Sequence, residues 1–238
     1  MIEYLFLDLD DTILDFKKAE YIAIGKTISD FGVEPTDAVR HRYHEINKWH
    51  WEQLELGKLT RAEVLELGKL TRAEVLENRF KVLFAELGVE VDATAVARTY
   101  EKNLSQGHWF LPGAEETVDL LSKKYRLFLA SNGTASVQKG RMTSANLYRF
   151  FETVFVSQEI GHNKPSKAYF DACFAAIPGF DREKAMIVGD SLSSDIKGGI
   201  NAGIKTVWVN PDHKLCGDIK PDYEIEALHQ LPALLETL

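Results

Sequence analysis

Tyr4-Leu-Phe-Leu-Asp-Leu-Asp-Asp-Thr12 is a short apolar run that ends in acids. An unbroken apolar stretch of this length predicts a strand covered on both faces, with polar groups where it leaves the sheet. Further runs of the same kind follow at Arg126–Ser131, Thr153–Ser157, Ala185–Asp190 and Lys205–Asn210. Between them apolar residues recur at helical spacing, over 114–124, 135–146, 166–176 and 193–202. Strand alternating with helix predicts an α/β fold, a Rossmann-like parallel sheet with helices on both faces. Ligands bind beyond the carboxyl ends of strands in such sheets. The residues at those ends are therefore the first candidates for chemistry.

From Phe16 to Gly107 the pattern is helical, with charged and apolar residues at three-to-four spacing. The expected organisation is a discontinuous α/β core, 1–15 plus 108–238, with an all-α domain inserted at 16–107. Pro112-Gly113 marks the return to the core. Within the insertion, Leu54–Val64 is followed at once by an identical copy, Leu65–Val75. Two copies are too few for a solenoid, so the repeat reads as a tandem duplication without function. Eleven residues span close to three helical turns, so a second copy is expected to lengthen a helix while keeping its apolar face.

The chain has 238 residues, 45% of them apolar, and a formal charge of −8. That content supports a sizeable core. The acidic balance argues against a nucleic-acid polymer or an anionic membrane surface as the partner. The two cysteines, Cys173 and Cys216, cannot build a disulfide framework. The N-terminus has no basic start before its acids, so neither a secretory leader nor a membrane span is expected. The predicted location is the cytoplasm.

Asp8 and Asp10 stand two apart at the end of the first strand. One carboxylate can attack phosphorus while a second protonates the leaving oxygen and later activates water. Carboxylates repel a phosphate, so a divalent cation is required, and Mg²⁺ prefers oxygen ligands. Ser131-Asn132-Gly133 ends the second core strand, offering a hydroxyl and backbone N–H groups for phosphate oxygens or, alternatively, a helix cap. Lys164, before Pro165, can neutralise phosphate and nucleophile together. Asp190, with Asp195 five residues on, can complete an oxygen cage.

The ordered set Asp-x-Asp-x-Thr, Ser-Asn-Gly, Lys-Pro and Gly-Asp-x-x-x-x-Asp resembles the haloacid dehalogenase superfamily of phosphohydrolases. The resemblance implies that Asp8 is the nucleophile and Asp10 the general acid/base. It implies that Thr12 orients the first loop and that Ser131, Asn132 and Gly133 bind the phosphoryl group. Lys164 would neutralise charge, and Mg²⁺ would be held by Asp8, Asp190 and the backbone carbonyl of Asp10, with Asp195 in support. A carboxyl at Asp10 serves an alkoxide leaving group, so phosphoryl transfer is expected rather than dehalogenation. The helical insertion is similar to the C1 cap of this superfamily. Substrate is then expected between cap and core, with hinges near Leu14–Lys17 and His108–Pro112.

Within the insertion, Tyr43-x-x-Ile-Asn47-x-x-x-Trp51, a Gly-Lys-Leu-Thr-Arg stretch and Arg79-Phe80 look like the pyrimidine nucleoside monophosphate phosphatase branch. Asn47, Trp51 and Arg79 either face substrate or pack helix on helix. The expected activity is a Mg²⁺-dependent phosphomonoesterase for a phosphorylated small molecule. The rival readings are a sugar-phosphate phosphatase or phosphomutase on the same fold, and a non-catalytic phosphate-binding regulator.

Overall fold

The computed structural model describes residues 1–55 and 72–238. Most of the duplicated segment, and with it the expectation of a lengthened helix, lies outside the described residues. The chain divides into two compact units, Met1–Lys17 with His108–Leu238, and Lys18–Gly107.

The first unit is built on six parallel strands: β1 (Tyr4–Leu7), β2 (Arg126–Ser131), β3 (Thr153–Val156), β4 (Ala185–Gly189), β5 (Lys205–Val209) and β6 (Tyr223–Ile225). Their order across the sheet is β3-β2-β1-β4-β5-β6. The alternation in β1 explains its unbroken apolar run. Leu5 and Leu7 join one core with Leu127, Leu129, Met186 and Val188, whereas Tyr4 and Phe6 join another with Phe128, Ala130 and Ile187. Successive side chains point to opposite faces, and both faces are covered. Helices α5 (Ala114–Ser122) and α6 (Ala135–Ser144) follow the returning chain. Beyond them come α7 (Ser157–Ile160), α8 (Lys167–Ala175), α9 (Lys197–Ala202) and α10 (Leu231–Leu235).

The register sets the functional edge. Leu7 pairs with Leu129 on one side and Val188 on the other. The residues just past those three positions are Asp8, Ala130-Ser131 and Gly189-Asp190, so they share one edge. Chain order reverses across β1, with β2 and β3 to one side and β4 to β6 to the other. That is the switch point at which parallel sheets leave a crevice.

Several details differ from the sequence reading. The strands stop one to three residues short of Asp10, Ser157, Asp190 and Asn210. After β1 the chain turns at once: Ile13 and Leu14 both donate their N–H to Leu9 O, at 3.0 and 2.9 Å. Residues 193–202 are not one α-helix but a π turn at Leu192–Ile196 leading into α9. β6 was not anticipated, because three residues after a polar loop carry too little periodicity. It pairs with β5 at the sheet edge.

The segments that leave and re-enter this unit are paired. Leu14 and Phe110 form an antiparallel bridge. Asp15 N donates to Trp109 O at 2.8 Å and Leu111 N to Ile13 O at 2.9 Å.

The second unit is helical over its described residues, with α1 (Phe16–Asp30, beginning in the first unit), α2 (Asp37–Glu55), α3 (Arg72–Glu86) and α4 (Ala93–Leu104). Asp92 caps α4, its carboxylate accepting from Thr94 N at 2.9 Å. Tyr43, Phe80 and Tyr100 pack together, Tyr43 stacked on Phe80 and Tyr100 tilted against both, with ring centroids 5.3–5.5 Å apart. No described helix is long and apolar enough to cross a membrane.

Candidate active site

The strand ends bring four charged side chains together. Lys164 is fully buried and donates to Asp8 Oδ1 at 2.7 Å, Asp195 Oδ1 at 2.6 Å and the carbonyl of Ala130 at 2.6 Å. Its three N–H groups are thereby used, which fixes the ammonium as a point charge between two acids. Asn132 sets the backbone that carries it: its amide donates to Lys164 O at 2.9 Å and accepts from Lys164 N at 2.8 Å.

Asp195 is held by the π turn. Ser191 caps that turn, accepting from Ser194 N at 3.2 Å, while its own N–H donates to Asp195 Oδ2 at 3.1 Å. Gly189 leaves the room, since a Cβ there would lie 2.2 Å from Asp195 Oδ2. Asp190 is anchored through its backbone, whose carbonyl accepts from the buried Trp208 indole at 2.8 Å. Trp208 is thus core and also carries a hydrogen bond.

Asp8, Asp190 and Asp195 each offer an oxygen within 4.8 Å of the others. Burial pushes Asp8 up to about 8; Lys164 opposes this, and Asp195 and Asp10 add to it. Burial, then repulsion from Asp8 and Asp195, holds Asp190 well above the carboxylate range. Burial alone would depress Lys164, but Asp195 and Asp8 outweigh it and raise its pKa above the usual lysine range. Two of the three acids, Asp8 and Asp195, share the one ammonium and Asp190 lies beside them, leaving two negative charges in excess when all are ionised. A hard divalent cation matches both that deficit and the all-oxygen donor set.

Asp10 lies outside this carboxylate group. Its Oδ2 accepts from Gln138 Nε2 at 2.7 Å and its Oδ1 from Arg141. Gln138 Nε2 also donates to Ser131 Oγ at 2.8 Å, and Gly133 N donates to the same hydroxyl at 3.1 Å. A Cβ on Gly133 would meet the Gln138 amide at 2.3 Å, so the glycine is what lets Gln138 through. Thr12 is buried, and its Oγ1 has no hydrogen-bond partner among the described residues. Asp11, in the left-handed region at φ 55°, turns its carboxylate to accept from Phe16 N at 2.9 Å at the start of α1.

Asn47 and Arg79 come together inside the helical unit. Arg79 donates to Asn47 Oδ1 at 2.6 Å, and Asn47 Nδ2 donates to Glu20 Oε1 at 2.5 Å. All three are buried, and His44 Nδ1 meets the other Glu20 oxygen at 2.6 Å. Arg79 also lies over the Tyr100 ring at 4.8 Å. Trp51 is half-buried. Gln138, Arg141 and Glu20 were absent from the sequence reading. In the structure Gln138 and Arg141 share a buried helix face with Val137 and Met142, a face that the weak amphipathic pattern of this helix does not mark in the sequence.

The family model described as haloacid dehalogenase-like hydrolase matches residues 40–209. The HAD-hydrolase YfnB of Bacillus subtilis is 38% identical over 97% of this chain and 94% of its own length. The pyrimidine 5'-nucleotidase PynA of Streptococcus pneumoniae is 35% identical, covering 96% of this chain and 93% of that protein. The crystal structure of YfnB bound to magnesium superposes with a TM-score of 0.87 at 37% identity, covering 98% of each chain.

Proposed function

The chain belongs to the haloacid dehalogenase-like hydrolases, and from that premise we propose that it is a Mg²⁺-dependent phosphomonoesterase acting on nucleoside monophosphates. The observation that carries this reading is the cluster of three acids around one buried ammonium, which pairs with Asp8 and Asp195, an arrangement suited to a cation and a phosphoryl group together. The pyrimidine preference is supported by the similarity to PynA.

In this reading Asp8 attacks phosphorus, forming an aspartyl-phosphate as the ester oxygen departs. Asp10 gives its proton to that oxygen, releasing the alcohol. Asp10 then takes a proton from water as the water attacks phosphorus, which frees inorganic phosphate and restores Asp8. Lys164 favours the ionised form of Asp8 against the effect of burial and balances charge on the phosphoryl oxygens. The Ser131 hydroxyl, which accepts from Gln138 and Gly133 and so can donate its own hydrogen, orients those oxygens together with the Asn132 backbone. Asp8 and Asp190, with the Asp10 carbonyl and Asp195 in support, would hold Mg²⁺, which supplies positive charge to the phosphoryl group.

The test is inorganic phosphate release from pyrimidine and purine nucleoside 5'-monophosphates and sugar phosphates, with Mg²⁺ or with a chelator. Fastest release from the pyrimidine set, abolished by the chelator, is expected. Preference for sugar phosphates would overturn the substrate class, and turnover in excess chelator would overturn the cation requirement.

A further inference from the structure

Asp10 is gripped from behind. Arg141, fully buried, donates to one carboxylate oxygen, and Gln138, also buried, donates to the other. The carboxylate itself keeps 28% of its side-chain surface exposed, while Arg141 keeps 1%. The grip therefore comes from the protein interior and leaves a face of Asp10 open. Both donors lie on α6, one helical turn apart, so a single rigid element delivers them. Arg141 is steadied in turn by the Phe16 ring, 5.6 Å from its guanidinium carbon. The same Gln138 nitrogen donates to Ser131 Oγ, so it ties the Asp10 carboxylate to the hydroxyl read as a phosphate ligand.

We propose that Gln138 and Arg141 are positioning residues that fix Asp10 where the leaving oxygen departs, with Gln138 holding it in register with Ser131. This rests on the reading of Asp10 as the acid/base. The physical reason is reach. An aspartate on a turn has two free torsions, and a proton donor must lie within hydrogen-bond distance of its target. Displacing a catalytic group by about 1 Å can cost about 100-fold in rate. Two donors on opposite oxygens remove both torsional freedoms.

The experiment uses the full chain with Mg²⁺ and measures leaving-group release in the first turnover. Uridine 5'-monophosphate and β-glycerophosphate present alkoxide leaving groups, which need a proton. p-Nitrophenyl phosphate presents a phenolate, which leaves without one. For Gln138→Met the expected loss is about 100-fold on the alkyl esters and less than about fivefold on the aryl ester, with KM shifted less than about threefold. Arg141→Lys keeps the charge but loses the planar guanidinium and its reach, and shows the same contrast. Gln138→Asn, which draws the amide back by one carbon, carries the test should the methionine variant fail to fold. Equal losses on both ester classes, or no loss on either, would overturn the proposal. Asp10→Asn is run alongside. If it lacks the alkyl-against-aryl contrast, the acid/base reading itself has failed; if it shows the contrast and the Gln138 and Arg141 variants do not, only the positioning role has.

Discussion

In the α/β unit, Asp8 and Asp195 share the ammonium of Lys164, with Asp190 beside them; in the helical unit, Glu20 and Arg79 share the amide of Asn47. Both clusters are buried, and both cost desolvation. The second sets the Glu20 carboxylate against the Arg79 guanidinium, with His44 also on Glu20, linked by hydrogen bonds and with Arg79 against the rings of Tyr43, Phe80 and Tyr100. The first carries excess negative charge that no described cation relieves. A balanced buried pair can be sustained by its own partners. An overcharged one is unfavourable unless something else binds, so excess charge separates a site from a scaffold.

The most severe test of this contrast is Asp8→Asn. Turnover of p-nitrophenyl phosphate should fall by on the order of 10⁴-fold or more. Thermal unfolding in a chelator should show no loss of stability, because the substitution removes one of the crowded negative charges. A variant that unfolds, or that keeps its activity, would break the comparison at its first term.

Arg79→Met probes the other cluster. It leaves Asn47 Oδ1 without its donor and removes the guanidinium charge from the cluster, and should cost about 3 kcal/mol in urea unfolding. Turnover per folded molecule should stay within about threefold of the parent, on the scale of ordinary scaffold substitutions. Loss of turnover without loss of stability would move Arg79 from scaffold to substrate site.

The third test is pH. Asp8 and Asp190 have raised folded-state pKa values, so the folded protein binds more protons than the unfolded chain. Their contribution is fully present below the ordinary carboxylate range and is lost as pH rises toward about 8. In a chelator, stability should therefore decline between pH 5 and about 8. Mg²⁺ at 100 times its dissociation constant should add about 2.7 kcal/mol at the alkaline end and flatten the decline. A profile that Mg²⁺ leaves unchanged would mean that the excess charge attracts no cation.

The smallest effect is expected from deleting residues 65–75, the second copy of the repeat. Turnover of p-nitrophenyl phosphate and the ranking of nucleotides should not change. A changed ranking would give the duplication a part in specificity.

Much of the site was legible because its residues stand at strand ends, and strand ends can be read from apolar runs. Asp8, Ser131 and Asp190 follow from that pattern, whereas Lys164, in a loop, and Asp195, in the π turn, were picked out by the order and spacing of motifs that resemble a known family. Gln138 and Arg141 did not, because on a helix of weak amphipathic pattern a buried polar residue looks like a solvated one. Asn47 and Arg79 were recognised as notable, yet nothing in their spacing distinguished packing from contact with substrate. β6 escaped notice because a three-residue edge strand is stabilised by its neighbour rather than by its own sequence.

Local chemistry therefore determined the parallel α/β sheet, the helical insertion and the acids at the carboxyl edge, since apolar periodicity and strand termini are properties of a few adjacent residues. Tertiary structure alone decided which groups meet. Lys164 reaches Asp8 across 156 positions, and Gln138 reaches Asp10 across 128. At such separations only the sheet register and the packing of α6 bring a donor to its acceptor, and those are set by the whole core.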